Sequence, residues 1–105
     1  MVTLAHSDKE FVKIVKEAGD VPLVVDFYAT WCKPCTLMAP VFVNFAQTVG
    51  DKAIFVKVNV DECEDTADLY KVSSMPTFAI IKNGEFVKRV TGANPAKLAQ
   101  MLKDL

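Results

Sequence analysis

Two cysteines separated by two residues are the clearest chemical signal in this sequence of 105 residues. In the segment Trp31-Cys32-Lys33-Pro34-Cys35, that spacing brings two sulfurs within disulfide reach at the start of a helix. The N-terminal end of a helix has a partial positive charge and free N–H groups, which favour a thiolate on the first cysteine. The sequence therefore predicts redox chemistry, with Cys32 as an exposed nucleophile and Cys35 as its protected partner.

A zinc site is the alternative use of this motif. Zinc needs four ligands, and besides the pair the chain offers only Cys63 and His6, neither at ligand spacing. Three cysteines are also too few for the disulfide framework of a small secreted domain, which favours free thiols in a reducing compartment. Redox chemistry is the preferred interpretation, and Cys63 is interpreted as a packed side chain in preference to a regulatory thiol.

The elements next to the motif follow from hydrophobic patterning. Val21 to Ala29 is almost continuously apolar, which is typical of a central parallel strand that is covered on both faces. Pro34 to about Val49 is apolar nearly all round, which predicts a long and largely buried helix. The dithiol therefore falls at the carboxyl end of a central strand, where open α/β sheets place their sites.

The other elements complete a βαβαβαββα order. Strands are predicted near Val2 to Ala5 and over Ala53 to Val60, Pro76 to Lys82 and Glu85 to Val90. Helices are predicted from the capping box at Ser7 to Gly19, over Glu62 to Lys71, and from Asn94-Pro95 onwards. Asn83-Gly84 predicts a type I′ turn between the last two strands. This order implies an α/β fold with a mixed sheet and helices on both faces.

Composition and charge narrow the class of protein. Twelve Lys and Arg against 13 Asp and Glu give a formal charge of -1, so neither nucleic acid nor a membrane is expected as a partner. No apolar run approaches the roughly 18 residues of a membrane span, and the first residues do not resemble a signal peptide. We expect a single domain over residues 1–105 with a cytoplasmic location.

Three separate motifs resemble the thioredoxin family. They are Asp26-Phe27-Tyr28-Ala29-Thr30-Trp31-Cys32-Lys33-Pro34-Cys35, Met75-Pro76-Thr77-Phe78 and Gly92-Ala93-Asn94, and the likeness covers the whole chain. Asn59-Val60-Asp61-Glu62-Cys63 resembles the cytosolic members of animal type. The resemblance implies the thioredoxin fold, a central mixed five-stranded sheet flanked by four helices.

The resemblance also implies a function, that of a general protein disulfide reductase. Its expected partners are disulfide-containing protein substrates and thioredoxin reductase, which uses NADPH, and no cofactor is expected to be bound. Two alternatives stay open. One is a more oxidising oxidase or isomerase, although such proteins usually have His where Pro34 stands. The other is a redox-regulated binding subunit. Because Ser74 replaces a cysteine that links dimers in some animal thioredoxins, a monomer is expected.

Asp26 is predicted to take part in the chemistry. A carboxyl group in a strand of apolar residues loses hydration, so its pKa is expected to be raised. In the family, a buried carboxylate below the sulfurs takes the proton of the second cysteine, here Cys35, through water. The alternative is a structural ion pair with Lys57 on the neighbouring strand of the family's sheet. The two roles are compatible, because Lys57 would only moderate the pKa of Asp26.

The substrate-binding residues are implied by the resemblance. The family places a cis-proline loop opposite the dithiol, and the backbone of this loop pairs with the extended substrate chain. The apolar platform around the first cysteine would then consist of Trp31, Met75, Pro76, Gly92 and Ala93. Ordinary core packing is the alternative for the tryptophan and the methionine. Asp61 is expected to accept a hydrogen bond from the indole of Trp31.

Lys33 departs from the family pattern, which has Gly between Cys and Pro. A positive charge beside Cys32 stabilises its thiolate, and a Coulomb energy of order 1 kcal/mol at a partly exposed site would lower the pKa of the thiol somewhat. The reduction potential would then lie roughly 10 to 30 mV above the value of about -270 mV for thioredoxin itself. The alternative is that Lys33 points into water and has no measurable effect.

Overall fold

The computed structural model describes residues 1–105, which form a five-stranded mixed sheet with helices on both faces. The strands are β1 (Val2–Ala5), β2 (Leu23–Tyr28), β3 (Ile54–Asn59), β4 (Thr77–Lys82) and β5 (Glu85–Thr91). The helices are α1 (Asp8–Ala18), α2 (Lys33–Val49), α3 (Glu64–Leu69) and α4 (Pro95–Leu102), with a 3₁₀ turn at Gly50–Lys52. The predicted fold class is therefore confirmed.

The strand order across the sheet is β1-β3-β2-β4-β5. β1, β3 and β2 are parallel, whereas β4 and β5 are antiparallel to their neighbours. β2 therefore has a strand on each side, and its residues Leu23 to Phe27 are buried, as the continuous apolar run predicted. In the register of the sheet, Asp26 lies between Lys57 on β3 and Phe78 on β4.

Alternating side chains of the strands build two cores, one on each face of the sheet. On β2, Val25 and Phe27 pack with Phe11 of α1, while Val24 packs on the other face with Phe42 of α2 and Leu98 of α4. By this alternation Asp26 and Tyr28 lie on the face that α2 covers. No helix is both long and apolar enough to cross a membrane.

The predicted boundaries hold to within about two residues, and the acidic helix is shorter than predicted at both ends. α3 covers Glu64–Leu69 and not Glu62 to Lys71. The N–H groups of Glu62 and Cys63 both donate to the carbonyl oxygen of Asn59, at 3.1 and 2.9 Å, and so form a turn that delays the start of the helix. At the other end Lys71 has a φ of 55°, which is not helical.

The turn of the β4–β5 hairpin and the start of α1 are as the sequence predicted. Asn83 and Gly84 have φ values of 54° and 77°, as a type I′ turn requires at its two central positions. Ser7 Oγ accepts the N–H of Glu10 at 3.1 Å and caps α1.

Candidate active site

Cys32 and Cys35 form a disulfide at the start of α2, with their Cα atoms 5.3 Å apart. Cys32 is the N-terminal cap of the helix, and the N–H of Cys35 donates to its sulfur at 3.2 Å. This N–H is one of those that a helix start leaves without a backbone acceptor. The first turn of α2 contains no acidic residue, so no side chain there opposes the positive end of the helix. In the dithiol form, the same groups stabilise a thiolate on Cys32.

The prediction that Cys32 is exposed is wrong for the disulfide form. The exposed fraction is 6% for Cys32 and 5% for Cys35. Both pack with Ala29, and the sulfur of Cys32 lies 3.7 Å from the carbonyl oxygen of Met75. The loop before Pro76 therefore covers this sulfur, a contact between distant parts of the chain that the helix start alone did not indicate.

The predicted substrate platform consists of three loops at this edge of the sheet. Trp31, in the first loop, is 68% exposed, which excludes core packing for the indole. In the second loop Met75 is half-buried, and its peptide bond to the buried Pro76 is cis. In the third loop the N–H of Gly92 donates to the carbonyl oxygen of Pro76 at 2.8 Å, which joins two of the loops. Ala93 follows on the exposed side.

Gly92 has a conformation that favours glycine. Its φ is 101°, and no atom lies within 4 Å of the position that a Cβ would occupy. The backbone here is therefore open to a neighbouring chain.

Asp61 holds the indole of Trp31, as expected. The indole Nε1 donates to Asp61 Oδ2 at 2.9 Å. The N–H of Asp61 in turn donates to the side-chain oxygen of Asn59 at 2.9 Å, so the carboxylate is fixed relative to the end of β3. The orientation of an exposed side chain thus depends on a residue thirty positions away.

Asp26 is buried in β2, with 1% of its surface exposed. Burial raises its pKa from 3.8 to about 7 and outweighs the positive charge of Lys57, which acts in the opposite direction. Its Oδ1 atom has no hydrogen-bond partner, although buried carboxylate oxygens normally have one. A carboxyl group with this pKa is partly ionised at neutral pH, so it can accept a proton and release it again.

Lys57 does not form the ion pair that was the alternative role for Asp26. The two residues are register partners in parallel strands. However, the Lys57 ammonium lies 4.3 Å from the centroid of the Tyr28 ring, and the ion pairs of the structure lie elsewhere. Lys57 therefore moderates the pKa of Asp26 without a direct contact. Sequence reasoning missed Tyr28, whose signal was its position two residues after Asp26 on the same face of the strand.

The remaining candidates lie apart from the platform. Lys33 is exposed at the first position of α2 and takes part in no ion pair. Cys63 is fully buried, and its thiol donates to the carbonyl oxygen of Ala5 at 3.5 Å. Burial raises its pKa to about 11, together with the carboxylates of Asp8, Glu62 and Glu10. No group of three or more His, Cys, Asp or Glu side chains is placed to hold a metal ion.

The mixed sheet, the disulfide at the start of α2 and the cis-proline loop beside it together define a protein-disulfide oxidoreductase with the thioredoxin fold. The chain belongs to the thioredoxin family, because the family model for thioredoxin matches residues 2–104. Its activity is dithiol–disulfide exchange at Cys32 and Cys35, and its substrate class is disulfide-containing proteins.

Individual relatives are similar to this chain over nearly the full length of both proteins. Thioredoxin-2 of Saccharomyces cerevisiae is 46% identical over 102 residues, with 97% of this chain and 96% of the relative covered. Thioredoxin-1 of Schizosaccharomyces pombe is 45% identical, with 98% and 97% covered. The crystal structure of reduced Schistosoma mansoni thioredoxin pre-protein superposes with a TM-score of 0.91 at 43% identity, with 98% of this chain and 96% of that chain covered. Fungal and flatworm proteins are thus similarly close, and the animal-type resemblance stays an expectation.

Proposed function

We propose that this protein is a general protein disulfide reductase that thioredoxin reductase recycles with electrons from NADPH. It acts as a cytoplasmic monomer and binds no cofactor of its own. The observation that carries the proposal is the combination of a disulfide at the positive end of α2 with the buried carboxyl group of Asp26, whose pKa is about 7. A dithiol needs a proton acceptor for its second thiol at neutral pH, and this carboxyl group has the matching proton affinity.

The first step is attack by the Cys32 thiolate on a substrate disulfide. A bond forms between the sulfur of Cys32 and one substrate sulfur while the substrate S–S bond breaks, and the leaving thiolate takes a proton from water. The N–H of Cys35 and the helix dipole support this step because they lower the free energy of the thiolate.

The second step releases the substrate. The Cys35 thiol gives its proton to the carboxylate of Asp26, and the resulting thiolate attacks the sulfur of Cys32. The mixed disulfide breaks, and the second substrate sulfur leaves as a thiolate. Two electrons have then passed to the substrate, and Cys32–Cys35 is oxidised. Asp26 later returns its proton when the disulfide is reduced again.

The substrate chain binds to the platform beside the disulfide. The exposed indole of Trp31 supplies apolar contact, and the backbone around Met75 is placed beside the reacting sulfur, 3.7 Å from it at the carbonyl oxygen. An extended chain pairs with this backbone, and Gly92 allows it to approach closely because no side chain stands there. Recognition through backbone and apolar contacts favours broad substrate use.

Insulin reduction tests the proposal. The protein should accelerate the reduction of insulin by dithiothreitol, and it should support NADPH consumption by thioredoxin reductase when insulin is present. Cys32→Ser should abolish both effects. Cys63→Ser is the matched control, because it alters a buried thiol outside the disulfide and should retain both activities.

Two results would favour the alternatives. Absence of any acceleration would indicate a redox-regulated binding subunit. A reduction potential near the value of about -120 mV for strong disulfide oxidants would indicate an oxidase. A potential close to about -270 mV supports the reductase.

The monomeric state is tested by sedimentation of the oxidised protein. Ser74 lies directly before Met75, and the third cysteine is buried, so no exposed thiol is available to link two copies. A single species of the 11.6 kDa chain is expected, and a disulfide-linked dimer would contradict it.

A further inference from the structure

Three side chains on the face covered by α2 form an unusual arrangement around one positive charge. Asp26 and Lys57 are register partners in neighbouring strands, so their side chains leave the sheet side by side. It nevertheless lies over the ring of Tyr28, 4.3 Å from the centroid, while Asp26 Oδ1 has no partner. The charge of the ammonium acts on the Asp26 carboxyl group, but its contact is with the aromatic ring.

We propose that Tyr28 is a positioning residue of the redox reaction, because its ring binds the Lys57 ammonium and so prevents a direct ion pair with Asp26. The electron-rich face of an aromatic ring attracts a cation, and more strongly where water is partly excluded. Tyr28 and Lys57 are both half-buried, which meets this condition. The hydroxyl of Tyr28 makes no hydrogen bond to the protein, so the ring face is the part that acts.

The other groups that bear on Asp26 do not explain the position of the ammonium. β4 presents the apolar Phe78 as register partner, and at the start of α2 the disulfide carries no charge while the cation of Lys33 is exposed. Glu62 acts on Tyr28, whose pKa is raised chiefly by burial and then by Glu62 and Asp26. The phenol therefore stays neutral at physiological pH. Lys57 is the one cation that acts on the carboxyl group.

The consequence concerns the base strength of Asp26 and rests on the proton transfer in the proposed function. A direct ion pair favours the charged carboxylate and lowers its pKa, commonly by one unit or more. Asp26 would then be a weaker base for the Cys35 thiol. With the ammonium held by Tyr28, burial outweighs the cation and the pKa stays near neutrality.

The test is a titration of the Asp26 carboxyl carbon by NMR in the full-length oxidised protein, in which the disulfide carries no charge. Tyr28→Leu removes the ring and should lower the pKa of Asp26 by about one unit, because the ammonium is free to reach the carboxylate. Tyr28→Phe keeps the ring face and should leave the pKa where it is. Tyr28→Ile repeats the ring removal with a side chain that suits a strand, in case the leucine variant folds poorly.

The ring variants are also made in a protein that carries Lys57→Met. This substitution separates the effect of the cation on the pKa of Asp26 from the effect of hydration of the carboxyl group. In this background the pKa of Asp26 should be higher, and removal of the ring should no longer lower it. An equal fall with and without Lys57 would overturn the proposal, since greater access of water would then be the cause. Unchanged values in both ring-free variants would overturn it as well.

The rate of mixed-disulfide resolution, measured on the same variants, distinguishes this inference from the proposed function. A midpoint of the pH–rate profile that moves down with the pKa of Asp26 supports both. A pKa that moves while the profile stays fixed supports the role of Tyr28 and contradicts proton transfer to Asp26.

Discussion

Cys32 and Cys63 each follow the carboxyl end of a parallel strand, β2 and β3 respectively, and each is the N-terminal cap of the next helix. By position alone they are equivalent, and both sulfurs are buried beside a backbone carbonyl oxygen, but the charges and N–H groups around them differ. Cys32 precedes a helix of 17 residues without acidic residues in its first turn, and its sulfur accepts an N–H group. Cys63 precedes a helix of six residues that begins with Glu64 and Asp65, and its sulfur accepts none.

The effect of these differences on the thiol is large. Cys63 is enclosed and faces carboxylates, so its thiol is held in the neutral form with a pKa of about 11. Its S–H donates to a carbonyl oxygen of β1, which further favours the protonated state. A helix start therefore does not make a cysteine reactive by itself. Cys32 differs in that an N–H group is directed at its sulfur, whereas three carboxylates oppose a thiolate on Cys63.

The largest expected contrast is in alkylation of the reduced protein. Iodoacetamide near neutral pH should modify Cys32 first, and roughly a thousandfold faster than Cys63, because only thiolates react and the pKa of Cys63 is raised to about 11. Mass spectrometry of peptides from a time course measures both rates. Cys35 should also be modified slowly. Comparable rates at Cys32 and Cys63 in the folded protein would remove the electrostatic distinction between the two helix starts.

The second prediction concerns Asp26, a buried carboxyl group with a raised pKa. Asp26→Asn should slow resolution of the mixed disulfide by roughly tenfold to a hundredfold, because the proton acceptor for Cys35 is lost. Trapping a substrate on the protein and following its release by rapid quenching measures this step. A normal release rate across neutral pH would exclude Asp26 from the mechanism.

The same variant should be more stable above neutral pH. The carboxyl pKa is about 7 in the folded protein against 3.8 as its ordinary value, so the folded state binds more protons in that interval. Stability of the parent is therefore highest below this interval and is lost as the pH rises through it, by up to about 4 kcal/mol. Urea unfolding over this pH range should show a decline for the parent and a flat profile for Asp26→Asn.

The smallest expected effect is that of Lys33, the one charge inside the disulfide ring. Lys33→Met should make the reduction potential more negative by roughly 10 to 30 mV at low salt, because the thiolate loses a neighbouring cation. Lys33→Arg keeps the charge and is the control. The difference should shrink at high ionic strength, since the side chain is exposed. Equal potentials for all three proteins at low salt would show that Lys33 points into water without effect.

Much of the fold could be predicted because local signals and the overall pattern agree. The apolar run of β2, the caps of α1 and the Asn83-Gly84 turn each depend on neighbouring residues, and each was found as predicted. The acidic helix was predicted too long. Its true start depends on a turn around the carbonyl oxygen of Asn59, a detail of hydrogen bonding that hydrophobic patterning does not encode.

Within the site, the sequence indicated which groups are chemically important, and the resemblance indicated the Trp31–Asp61 contact and the proline loop beside the dithiol. Burial of Asp26 and the rise of its pKa follow from the composition of one strand, so they were predictable. The resemblance placed Met75 beside Cys32, but the burial of the Cys32 sulfur and the contact of Lys57 with Tyr28 were not predicted, because each joins segments far apart in the sequence. Which of two nearby groups a side chain contacts depends on distances of a few ångströms.

The bond from the Gly92 N–H to the Pro76 carbonyl has a mechanical consequence. It follows the Thr77–Thr91 pair directly and so adds one more rung to the β4–β5 ladder, beyond the ends of both strands. The edge proposed to bind a substrate chain is therefore an extension of the sheet, and its movement is a fraying of the hairpin from its open end. The Gly92 amide is protected from hydrogen exchange for as long as this last hydrogen bond of the ladder is formed. This edge of the sheet is therefore ordered by hydrogen bonds before any partner chain binds to it.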